Sequence, residues 1–159
     1  HKHSIPESAK SIFLGPQNFI LADGATINSN TGGGANDPQV AIVFDAVGES
    51  VIAAIVVPQG ATGVVATLFY RDTAAVLNIT IKTKSVKPNN NENETTGGDT
   101  DSANFEVGDV GDGDLRTFDV SSAFDAVGII DAGNLLYIHI EKITEATSMN
   151  INGLLLVWS

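Results

Sequence analysis

Cysteine is absent from the 159 residues, so no disulfide, thiolate zinc site or thiol nucleophile can form. Cations are scarce: eight Lys and Arg stand against nineteen Asp and Glu, giving a formal net charge of −11. A surface of that sign repels a phosphate backbone, so no nucleic-acid partner is expected. The nearest approach to a basic cluster, Lys82, Lys84 and Lys87, reads as one solvated strand face. Aromatic residues make up 6% of the chain. Trp158, Tyr70 and Tyr137 are available as platforms for sugar rings, whereas Phe13, Phe44, Phe69 and Phe105 lie in apolar patterns that suit a core. The longest apolar run, Val51 to Pro58, is far too short to cross a bilayer as a helix, and no membrane insertion is expected. No segment has helical periodicity. No nucleophile–base pair, phosphate loop or complete metal motif is present, and no spacing singles out a catalytic carboxylate pair, so the chain is not expected to be an enzyme. It starts on His1 rather than Met, as a chain with a removed leader or a fragment would.

What is present is a series of strand-length apolar segments separated by Gly, Asn, Asp and Pro. Ser11–Leu14 and Phe19–Leu21 are short apolar pieces around Gly15-Pro16; residues 22–38, with Gly32-Gly33-Gly34 at their centre, read as a long flexible connection. Val40–Phe44 and Val51–Val57 are nearly continuous in apolarity, which predicts strands buried on both faces or central in a packed sheet. Val64–Tyr70 follows. From Val76 to Val86 the chain alternates, with Leu77, Ile79 and Ile81 on one face and Asn78, Thr80, Lys82 and Lys84 on the other. Further strands are predicted at 103–107, 115–120, 135–142 and 151–158. The expected fold is all-β: one antiparallel β-sandwich domain over 1–159, jelly-roll-like because several connections are too long for hairpins. Phe-Asp-Ala-Val-Gly occurs at both 44–48 and 124–128, either as equivalent corners of two related halves or as coincidence in an Ala/Val/Gly/Asp-rich chain.

Eight of the nineteen acidic residues fall between Pro88 and Asp114. The stretch 88–102 reads as a flexible acidic loop too polar to order itself. Asp109, Asp112 and Asp114 place carboxylates on a Gly-rich backbone and are candidate calcium ligands. The EF-hand pattern fails, since the fifth position from Asp112 is Arg116, and Gly97–Asp101 misses the glycine-rich calcium repeat. His1 and His3 form a candidate copper or nickel site through a free N-terminal amine and the His3 imidazole. An N-terminal His on a β-sandwich resembles copper monooxygenases and periplasmic copper carriers, and His139 would then supply the second ring. Asn78 and Asn93 head glycosylation sequons.

The order of segments resembles structural proteins of tailed phages and prophages. The resemblance is carried by Ser11-Ile12-Phe13-Leu14 with Phe19 after it, Phe44 to Gly60, Leu68-Phe69-Tyr70, and the closing pair Leu135–Glu141 and Asn152–Trp158. The chain departs in lacking the initiator Met, and Leu77-Asn78-Ile79 stands where such proteins usually carry a Trp. The resemblance implies a self-assembling subunit of a virion or extracellular filament, a homo-oligomer or polymer located in the virion or at the cell surface. Residues 1–21 would serve as an exchanged strand, with Ile12, Phe13, Leu14 and Phe19 making the subunit contact by strand addition. The alternative expectation is a calcium- or glycan-binding β-sandwich module using the 88–114 segment.

Overall fold

A computed structural model describes residues 4–6, 10–30, 39–71, 77–107, 113–144 and 148–159. Among these residues lie eleven strands: β1 (Ser11–Leu14), β2 (Ile20–Ala22), β3 (Thr26–Asn30), β4 (Gln39–Phe44), β5 (Ser50–Val56), β6 (Val64–Arg71), β7 (Leu77–Val86), β8 (Asp99–Val107), β9 (Leu115–Asp119), β10 (Leu135–Lys142) and β11 (Met149–Trp158). They form two antiparallel sheets, one of order β3-β4-β11-β6-β9 with β1 also on β11, the other of order β2-β5-β10-β7-β8. From β4 onward the chain crosses repeatedly between the sheets, and only β7 and β8 follow each other within one. This is the jelly-roll-type sandwich expected from the strand rhythm. Among the described residues no helix is long and apolar enough to cross a membrane.

The period of two explains the packing. In β10, Leu136, Ile138 and Ile140 point inward and are fully buried, as are Ile79 and Ile81 of the neighbouring β7. The other sheet answers with Ile42, Phe44, Leu68, Leu154, Leu156 and Trp158. Phe105 of β8 and Phe118 of β9 meet edge-on at 6.0 Å, closing one side of the sandwich between strands of different sheets.

Three expectations need correction. The 22–38 segment is not connection throughout, since β3 occupies Thr26–Asn30 and pairs with β4. The polar 88–102 segment is structured. Asn93 Oδ1 accepts the backbone N–H groups of Thr95 and Thr96 at 2.8 and 3.1 Å, Glu92 Oε2 accepts that of Lys87 at 2.7 Å, and β8 begins at Asp99. Side-chain oxygens of Asn and Glu satisfy a backbone that has no apolar surface to bury. Third, of the two readings of β5, burial on both faces fails, while a place inside the sheet, between β2 and β10, holds. Val51 and Ala53 point into the core, but Ala54 is exposed and Val56 is 65% exposed.

At the termini, β1 pairs with the chain's own β11 in the register Ser11↔Val157 to Leu14↔Leu154. Leu14 and Phe19 are buried, and Phe13 meets Phe69 edge-on at 5.5 Å. The two Phe-Asp-Ala-Val-Gly copies fold alike: Phe44 and Phe124 are buried, and Gly48 and Gly128 take φ of +91° and +87°, where glycine avoids the Cβ clash.

A cleft on the outer face of the five-stranded sheet

The face of β5, β10, β7 and β8 turned away from the core forms a cleft of about 830 Å³. Registers across the strands build it in rows. One row runs Ile20–Ile52–His139–Lys82–Ser102 through β2, β5, β10, β7 and β8. The next runs Ala54–Tyr137–Lys84–Thr100. Chemistry therefore changes sideways across the sheet. The β2/β5 side is apolar, with Ile20 71% exposed and Ile52, Ala54 and Val56 beside it. Tyr137 and His139 hold the middle, and amines and hydroxyls line the β7/β8 side.

The β7–β8 connection, residues 87–98, forms a wall. The Tyr137 hydroxyl donates to the Glu94 carboxylate, and Lys84 Nζ donates to the Glu94 carbonyl. One loop residue thus fixes both an aromatic ring and an amine of the floor. The contact raises the Tyr137 pKa, mainly because its proton is held by Glu94. Burial lowers the pKa of His139; Lys82 lowers it further, while Glu141 and Asp23 act in the opposite direction. His139 therefore stays neutral to a lower pH than an ordinary imidazole, and its Nδ1 is buried without a hydrogen-bond partner among the described residues. Neighbouring polar groups face the core side: Thr83 Oγ1 donates to the Ala123 carbonyl at 2.6 Å, and Asp101 Oδ2 accepts the Ala126 N–H at 2.9 Å.

No family model matches the sequence, and no curated protein sequence matches it. Solved structures are similar in shape. The CBM36-1 domain of a multidomain xylanase from the hindgut metagenome of Trinervitermes trinervoides gives a TM-score of 0.58 at 9% identity, over 92% of this chain and 95% of that one. The CBM22-1 xylan-binding domain from Paenibacillus barcinonensis gives 0.55 at 10% identity, over 92% of each chain. The family 11 carbohydrate-binding module from Clostridium thermocellum, in complex with a β-1,3-1,4-mixed-linked tetrasaccharide, gives 0.53 at 10% identity, over 92% and 95%.

The fold is that of jelly-roll carbohydrate-binding modules.

That finding overturns the assembly reading. A virion, capsid or filament subunit is not supported, because these three neighbours, each matched over 92% of this chain and nearly all of their own length, are carbohydrate-binding modules. The phage resemblance rested on strand rhythm, which unrelated sandwiches share. The terminal strand assigned to a neighbouring subunit makes its ladder bonds within its own sheet.

The individual site expectations fall as follows. His1, His3, Asp109 and Asp112 lie outside the described residues. Asp114 is exposed just before β9. Among the described residues no group of three or more His, Asp or Glu side chains is arranged to hold a metal ion. Asn93 is exposed in the 87–98 wall, while Asn78 sits half-buried in β7. Ile12 and Phe13 are partly exposed on β1.

Sequence reasoning missed the cleft as a unit. Lys82 and Lys84 read as a solvated face, and Tyr137 as one aromatic among few. The signal was in β5 and β10 together: an apolar strand without polar alternation beside one whose outward positions are Leu135, Tyr137, His139 and Glu141.

Proposed function

We propose that this domain is a non-catalytic carbohydrate-binding module, working outside the cell or at its surface, and that it binds its glycan in the cleft on the five-stranded sheet. The observation that carries this reading is the composition of that cleft: a half-buried, outward-facing Tyr137 ring between an apolar wall and a row of amines and hydroxyls. A sugar presents the same two chemistries, with C–H faces that pack on aromatic and aliphatic surface and a rim of hydroxyls that hydrogen-bond. The reading is supported by the fold of its structural neighbours, one of which is described as xylan-binding and another as a complex with a mixed-linked tetrasaccharide. It takes up the glycan-binding alternative and moves its site from the acidic 88–114 segment as a whole to the sheet beside it, with Glu94 as the link.

Affinity electrophoresis against a panel of soluble polysaccharides tests it. At least one is expected to retard the wild-type domain. Tyr137→Ala should weaken that binding about tenfold or more, as loss of an aromatic anchor does. Because Tyr137 points away from the core, the melting temperature of the variant, read by far-ultraviolet circular dichroism, should change little. Wild-type migration unaffected by every glycan in the panel would remove the proposal.

A further inference from the structure

We propose that the glycan bound in the cleft is anionic, bearing carboxylate or sulfate groups, and that Lys82 is the residue that selects it; the inference rests on the carbohydrate-binding reading of the same cleft. Only eight cationic side chains occur in a chain of net charge −11, yet two of them, Lys82 and Lys84, stand on the same outward face of β7. At alternate strand positions their attachment points are about 7 Å apart along the cleft. Their situations differ. The Lys84 amine is held by the Glu94 carbonyl, and so helps to fix the wall. Lys82 is exposed, pairs across the strands with His139 and Ser102, and has no hydrogen bond or ion pair to a described residue.

The acidic groups around it are largely engaged elsewhere. Glu94 accepts the Tyr137 hydroxyl, Asp101 accepts the Ala126 N–H, and Asp23 accepts the Ser50 hydroxyl. Glu141 lies one row along, opposite Thr80 of β7, and acts on the His139 imidazole. Lys82 is thus an available ammonium in the cleft, next to an imidazole kept neutral by burial. A neutral sugar would leave it with water. A carboxylate or sulfate would form a charge-assisted hydrogen bond with it. The overall −11 charge does not prevent this, because repulsion from charges beyond about 8 Å is screened at physiological ionic strength.

The test is calorimetric titration of the wild-type domain, Lys82→Gln and Lys82→Arg. The probes are polygalacturonate for carboxylate, dextran sulfate for sulfate, and galactan and mixed-linkage β-glucan as neutral polymers. The wild type is expected to bind one anionic polymer about fivefold or more tightly than either neutral one. Lys82→Gln should erase that preference and Lys82→Arg should keep it. Whichever of polygalacturonate or dextran sulfate is preferred identifies the anionic group. Neutral binding equal to anionic binding, or a preference unchanged in Lys82→Gln, overturns the inference and leaves the carbohydrate-binding reading standing. No binding to any of the four, in a domain that also ignores the wider neutral panel, overturns both.

Discussion

At the scale of single residues, position relative to the sheet decides chemistry more than residue type does. Tyr70 and Tyr137 are the same residue on neighbouring faces of one sandwich. The first is buried in the core; the second lies in the cleft with its hydroxyl on Glu94. His139 shows the same effect in its titration. Its folded-state pKa lies below the ordinary value, chiefly through burial, so the unfolded chain binds a proton at a higher pH than the folded one. Stability from this residue is present above about pH 6.5 and is lost as the pH falls from there through the folded pKa. The melting temperature is therefore expected to drop as the pH falls below about 6.5, before most carboxylates titrate. The drop should be smaller in His139→Gln. An equal slope in wild type and variant would show that burial of this imidazole has no such consequence.

Among elements, β1 and the 87–98 wall show how much depends on local fit. β11 carries a register shift between Ile151 and Gly153 against β6, and the Phe13 ring lies over the glycine. A Cβ at Gly153 would stand 2.3 Å from Phe13 Cζ and 2.8 Å from the Leu14 carbonyl oxygen. The second atom is backbone and cannot turn aside. Gly153→Ala is thus expected to push β1 off β11 and to cost about 1–3 kcal/mol in denaturant unfolding, with faster proteolytic cutting near residues 10–15. Unchanged stability and an uncut β1 would mean that the ladder from Ser11 to Leu14 tolerates the displacement. The 87–98 wall makes the complementary point: its Asn and Glu side chains satisfy its own backbone, and Glu94 attaches it to the sheet. Low hydrophobicity signalled a loop there but gave no sign that the loop docks.

Over the whole molecule, the pairings are mostly between distant parts of the chain. β1 meets β11 at opposite ends of the sequence, and β5 meets β10 across about half of it. Such topology delays folding, because loop closure must precede the contacts that reward it. Stopped-flow refolding is expected to take milliseconds to seconds, and refolding in tens of microseconds would contradict the non-local pairing. The same non-locality marks what the sequence by itself determined: most strand positions (though not that of β3), the inward sets such as Leu136, Ile138 and Ile140, and hence a sandwich of jelly-roll type. Period and turn residues are local properties, and local sequence encodes them. Only the tertiary structure decided that β2, β5, β10, β7 and β8 lie side by side, and so that Ile52, His139, Lys82 and Ser102 share one row. That row exists because hydrogen-bond registers join residues far apart in the chain, and no spacing along a single strand encodes a register between two.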